Sequence, residues 1–186
     1  MRGRGYVTLA ALFGGLGYRM LVSGELTLDT GVGRTLRPLG PLTTTIDAPR
    51  ETVFDVIAAP YLGRTPRALD DELTVLERGT DMVLAAHRTP VGGNLVATTL
   101  ETVRFTRPET VDFRLVRGPV PHVVERFTLS EVGDATQLDY TGELGADFWA
   151  VGRWWGEKVA VKWESTVSSS MERMRKEAER RAATRR

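Results

Sequence analysis

Between Glu72 and Gly145 the chain is broken at nearly even intervals by turn-forming residues: Gly79-Thr80-Asp81, Gly92-Gly93, Arg107-Pro108-Glu109, Gly118-Pro119-Val120-Pro121 and Gly133-Asp134. Such residues accept the tight backbone turns that join antiparallel strands. The intervals 72–78, 82–90, 94–106, 110–117, 122–131 and 136–145 have the length of strands. Two-residue alternation is clearest in Val111, Phe113, Leu115 and in Val123, Glu125, Phe127, Leu129. Neighbours in sequence then pair in space as a meander. The Thr- and Ile-rich run 42–47 adds a seventh strand ahead of them.

A sheet of that size has an apolar face to cover, and one element is long enough to cover it. From 148 to 182 no proline occurs, and Trp155, Val159, Trp163, Val167, Met171, Met174 and Ala178 recur every three or four residues. That spacing predicts one amphipathic helix. After Met174 the pattern turns almost wholly charged, so the helix is expected to project beyond the domain there. A curved sheet around a single helix about 10 Å wide leaves an apolar gap between the two.

Asp47-Ala48-Pro49 opens a helix whose stripe is Val53, Phe54 and Ile57, with Glu51 at its positive end. Pro60 is expected to stop it, and a second short helix is expected over 61–69. Ahead of the domain, 23–41 reads as a linker rich in Gly and Thr. Residues 1–22 carry an apolar stretch from Tyr6 to Val22, interrupted by Arg19, with Leu9, Leu12, Phe13, Leu16 and Met20 at helical spacing. Three readings of it stand open: a membrane anchor or interfacial helix, a helix docked on the protein, or a disordered or cleaved leader.

The sequence has no cysteine and only two histidines, which excludes disulfides, thiol nucleophiles and cysteine-ligated metals. No metal site and no cofactor are expected. The net charge of +1 divides into basic ends, 1–40 and 171–186, and an acidic body. That division suits an anionic membrane surface better than nucleic acid, which would need a basic body; solvated ends explain it equally well. The expected location is cytoplasmic or membrane-associated. The Gly-rich stretches 14–17 and 31–33 lack the strand-then-helix context of a phosphate loop.

With this order of elements, TTIDAPRETVFDVI (44–57) resembles the SRPBCC superfamily, also called START-like or helix-grip, which includes the polyketide cyclase/dehydrase and lipid-transport groups. The residues that carry the resemblance are Ile46, Ala48, Pro49, Val53, Phe54 and Ile57, and it covers 42–182. It implies an α+β helix-grip fold: a seven-stranded curved antiparallel sheet wrapped around a long C-terminal helix, with two short helices after the first strand. It further implies a hydrophobic ligand, lipid or polyketide-like, held between sheet and helix. The superfamily has no universal catalytic residues to carry over.

Candidate ligand contacts are Phe113, Phe127, Tyr140, Trp155, Val159, Trp163 and Met171. Trp149 and Trp154 would either close the mouth of the gap or meet a membrane interface. For proton transfer the candidates are His87, Glu125 and Tyr140. Two of these have ordinary alternatives. His87 would lie at the rim or in solvent, and Glu125 would pair with Arg114 or Arg126 on the outer face, the commoner outcome for a strand carboxylate. His122, after Pro121, is expected at the surface, and Lys162 is expected to point outward. The expected function is a noncatalytic carrier or sensor of a hydrophobic small molecule. The alternative is a cofactor-free cyclase/dehydrase.

Overall fold

A computed structural model describes residues 15–63 and 72–185. Its elements run β1 (Thr35–Ile46), α1 (Arg50–Leu62), β2 (Leu73–Arg78), β3 (Met82–Gly92), β4 (Leu95–Thr106), β5 (Thr110–Arg117), β6 (His122–Val132), β7 (Ala135–Ala146) and α2 (Trp149–Arg185). The strands form one antiparallel sheet in the order β1-β7-β6-β5-β4-β3-β2. Thus β2 to β7 are the expected meander, and β1 closes against β7. The chain between β1 and β2 crosses from one edge of the sheet to the other through α1.

β1 begins at Thr35, well before the expected start at 42. Pro38 and Pro41 suggested a linker, yet both lie on an edge strand, where a missing N–H costs no ladder bond. The pairing shifts between Leu39 and Leu42, and Gly40 takes the positive φ of 76° that this bulge needs.

Pro60 does not end α1. It lies inside the helix, which runs on to Leu62. So close to the C-terminal end, proline disturbs only the last turn. Tyr61, expected to open a second helix, is therefore buried on α1. The remainder of that second helix, 64–69, lies outside the described residues.

The core joins α1 (Val53, Phe54, Ile57) and the inward faces of the strands (Val83, Val103, Val111, Leu129, Leu138) to α2 (Ala160, Met171, Ala178, Ala182). The last turns of α2 therefore do not project. Ala178 and Ala182 are buried, and the charged residues around them pair along the helix, as Glu172–Arg175 and Glu177–Arg181 do. Small alanines permit this close approach: Ala178 ends the stripe read from the sequence, and Ala182 continues it one turn further.

Along its length α2 runs close to β1, β7 and α1, while its backbone stands off from β3, β4 and β5. On that side the concave face is lined by aromatic rings. Tyr61, Phe113, Phe127 and Tyr140 succeed one another with ring centroids 5.2–5.9 Å apart, the first two meeting edge to face.

Residues 15–23 are helical, and the stretch from Gly24 to Arg34 is an arm held on the body. Tyr18 meets the Trp155 ring at 6.1 Å, Thr27 exchanges two hydrogen bonds with the backbone of Gly118, and Asp147 gathers the arm's end. Its Oδ2 accepts from the N–H groups of Thr30 and Gly31 at 2.7 and 2.8 Å, and its Oδ1 accepts from Arg34 Nε at 2.7 Å. Among the described residues no helix is long and apolar enough to cross a membrane. Residues 1–14, where most of the apolar stretch falls, lie outside the described residues.

Candidate functional site

Alternation along three strands turns an unusual set of polar groups inward. On β4, Ala97, Thr99, Glu101 and Val103 share the buried face; on β6, Val123, Glu125 and Phe127 do so; and on β7, Leu138 and Tyr140. Two clusters result.

In the first, Thr99 Oγ1 donates to Glu101 Oε1 at 2.6 Å, and His87 Nδ1 lies 3.0 Å from Glu101 Oε2. The latter is a close ion-pair contact, bent away from the line of the N–H. Across the ring, His87 Nε2 is 3.0 Å from the Tyr61 hydroxyl. In the second, Glu125 Oε1 accepts from the Tyr140 hydroxyl at 2.6 Å and from Trp163 Nε1 at 2.7 Å. No described residue hydrogen-bonds Glu125 Oε2.

The electrostatics of the two carboxyl groups differ. Burial alone would raise Glu101, but the charge and contact of His87 and the bond from Thr99 outweigh it and hold the group below the usual carboxylate range. For His87 burial works downward, and Glu101 overcomes it, so the imidazole is raised. Together they form an ion pair. Glu125 has no ion-pair partner among the described residues, and His87 is the cation whose charge acts on it, lowering its pKa less than its two hydrogen bonds do. Burial, then the charge of Glu101, push its carboxyl up to about 7, against the opposing bonds from Tyr140 and Trp163. Tyr140 and Tyr61 are both raised, first by burial and then by these carboxylates. A buried carboxyl raised in this way is suited to give or take a proton near neutral pH.

Several side chains here are not sealed. His87 keeps 21% of its side-chain surface exposed, and Phe113, Leu115, Thr99 and Glu125 keep a trace, while Val83, Val103 and Val111 on the same sheet have almost none. The first cluster is therefore open to solvent at the imidazole.

The expected ion pair of Glu125 with Arg114 or Arg126 is not formed. Arg126 is on the outer face, bonded to Asp112, and Glu125 points the other way. Nor is His87 a solvent-facing residue: its ring is packed against Tyr61 and Phe113. The structure thus brings Glu125 and Tyr140 together and sets His87 in the neighbouring cluster. Phe113, Phe127, Tyr140 and Met171 are buried in the core, and Trp155, Val159 and Trp163 are partly buried against it. His122 is at the sheet end, 3.2 Å from Glu143, and Lys162 is exposed. Glu101, Thr99 and Tyr61 were not singled out from the sequence; the parity of Glu101 with Val103 was the signal for the first two. Among the described residues no group of three potential ligands could hold a metal ion.

No protein-family model matches the chain, and no curated protein matches its sequence. Solved structures do. Zhui aromatase/cyclase from Streptomyces sp. R1128 superposes with a TM-score of 0.63 at 20% identity, over 79% of this chain and 96% of that one. TTHA0849 from Thermus thermophilus gives 0.58 at 14%, over 77% and 97%. The KanY protein gives 0.58 at 17%, over 80% and 99%. The fold is the helix-grip fold. Likeness at such identities establishes the helix-grip architecture and carries no site residue with it, so the chemistry rests on the groups described above.

Proposed function

We propose that this helix-grip protein binds a hydrophobic, oxygen-bearing small molecule on the concave face between the sheet and α2, and that Glu125 moves a proton on it in a cofactor-free cyclisation or dehydration. The observation that carries the reading is Glu125: a buried carboxyl with one oxygen fixed by Tyr140 and Trp163 and the other without a hydrogen-bond partner among the described residues, its pKa raised first by burial. A ligand carbonyl or hydroxyl is the natural partner for that oxygen. The aromatic run from Tyr61 to Tyr140 would receive the flat apolar part of such a molecule. The His87–Glu101 pair stands by as a second proton site, with Tyr61 on its far nitrogen. One of the structural neighbours is an aromatase/cyclase, which agrees with this class of reaction.

A carrier without chemistry is the second reading. It is favoured by the first cluster, in which Thr99, Glu101, His87 and Tyr61 are already engaged with one another. Quenching of tryptophan emission by a set of fused-ring ketones and phenols, with fatty acids as comparison, tests the binding; Trp155 and Trp163 are the reporters. Turnover of a linear polyketone to an aromatic product, followed by absorbance, tests the chemistry. The expected result is turnover that falls by about 100-fold or more in Glu125→Gln, the range for loss of a general acid, with binding retained. Binding without turnover in the native protein establishes the carrier and removes the enzyme. No binding of either class removes both.

A further inference from the structure

The outer side of α2's first three turns is unusually apolar for a solvent-facing surface. Val151, Trp154 and Val161 are each more than half exposed, and with Lys158 they fall at three- and four-residue intervals on one face. At the start of the helix Phe148 and Trp149 are exposed as well, and both have positive φ, 74° and 49°, a costly conformation for aromatic residues. Their N–H groups are held by the carbonyls of Val32 and Gly33 on the arm. The arm thus fixes a strained turn that displays two rings to water. Tyr18, also exposed, meets the ring of Trp155, the half-buried neighbour of Trp154 in the chain. A patch of this kind marks an interaction site.

The charges around it indicate what it meets. Lys158 lies 5.0 Å above the Trp154 ring, and Lys162, one turn further along the helix, is exposed. Among the described residues neither lysine has an ion pair. The acids along this stretch, Glu157 and Glu164, are both taken by Arg37. A second copy docking face to face would set lysine against lysine. An anionic bilayer satisfies both the tryptophans, which favour the headgroup region, and the unpaired cations.

We infer that the outer face of the first turns of α2, with Phe148, Trp149 and Tyr18, is a docking surface for an anionic lipid bilayer. The surface faces away from the concave side, so the inference stands apart from the reading of the interior site. Sedimentation of the full chain with phosphatidylcholine vesicles, with and without phosphatidylglycerol, tests it. The expected result is binding that requires phosphatidylglycerol, weakens with salt and shifts tryptophan emission to the blue. Trp154→Ser/Val161→Ser and, separately, Lys158→Glu/Lys162→Glu should each weaken it by about tenfold or more. Quenching by the interior ligand set should stay unchanged in both variants. Absence of vesicle binding overturns the inference. So does binding that survives both double variants, which would place the contact elsewhere in the chain. A face that holds two copies together, seen as a dimer in the native protein and a monomer in Trp154→Ser/Val161→Ser without vesicle binding, overturns it too.

Discussion

Among the described residues Glu125 accepts two hydrogen bonds on one oxygen and none on the other, and it forms no ion pair. Its raised pKa has a consequence for stability. Because the folded value of about 7 lies above the ordinary 4.5, protonation favours the native state; this contribution is complete below about pH 4.5 and is lost as pH rises through about 7. His87 acts in the same direction, since its folded pKa is raised above 6.5. Glu101, held low, loses its contribution only at the acid end, as pH falls below its ordinary 4.5. Urea unfolding between about pH 5 and about pH 8 should therefore show the native protein weakening, and Glu125→Gln should weaken distinctly less over that range. An identical slope in the variant would show that Glu125 is not raised. Trp163→Phe removes one donor from the same oxygen. It should cost about 1 kcal/mol and raise the Glu125 pKa further, read from the shift of its carboxyl resonance in an NMR titration.

The turn between β7 and α2 shows how one short stretch ties the arm to the body. Asp147 is buried yet charged, because two backbone N–H groups, a threonine hydroxyl and Arg34 surround it. Its carboxyl is held well below the usual range, first by Arg34. Stability from this group is present above its ordinary pKa and is lost as pH falls through the depressed folded value. Asp147→Asn should cost about 2–3 kcal/mol at neutral pH, with the difference from the native protein shrinking in strong acid; urea midpoints at both pH values check it. The adjoining helix leaves no room for a side chain at Gly152, where an added Cβ would meet the Asp147 carbonyl oxygen at 1.6 Å. Gly152→Ala should therefore destabilise by about 1–3 kcal/mol or more, although alanine is the better helix former. A melting temperature equal to the native one would mean that the helix start can shift. Nothing in the sequence announced this junction: Asp147 has no periodic partner, and Thr30 and Arg34 are more than a hundred residues away.

Across the molecule, the sheet and its covering helix were legible because local turn chemistry and periodicity both point to them; β2 to β7 lie close to where those signals put them, while the first half of β1 was hidden by its two prolines. The interior chemistry was only half legible. Strand parity placed Glu125 with Val123 and Phe127, on the buried face; the ordinary preference of a carboxylate for an exposed arginine argued against that, and here parity was the better guide. Burial of an ionisable group is costly enough that when a fold maintains it, the group has partners drawn from distant strands, as Glu125 has from β7 and α2. Those partners exist only once the sheet has curved. The same curvature makes a global prediction. If the concave face holds an apolar guest, the guest binds the folded chain alone and must raise its stability; at about a hundred times its dissociation constant the gain is about 2.7 kcal/mol, or several degrees in Tm. Thermal unfolding with fused-ring phenols should show that rise. Phe113→Ala should lower the Tm of the free protein, as a core truncation must, and should also shrink the increment that the phenol adds. An increment unchanged in Phe113→Ala would mean that the molecule binds elsewhere, because Phe113 stands in the middle of the aromatic run against which any guest of the concave face would lie.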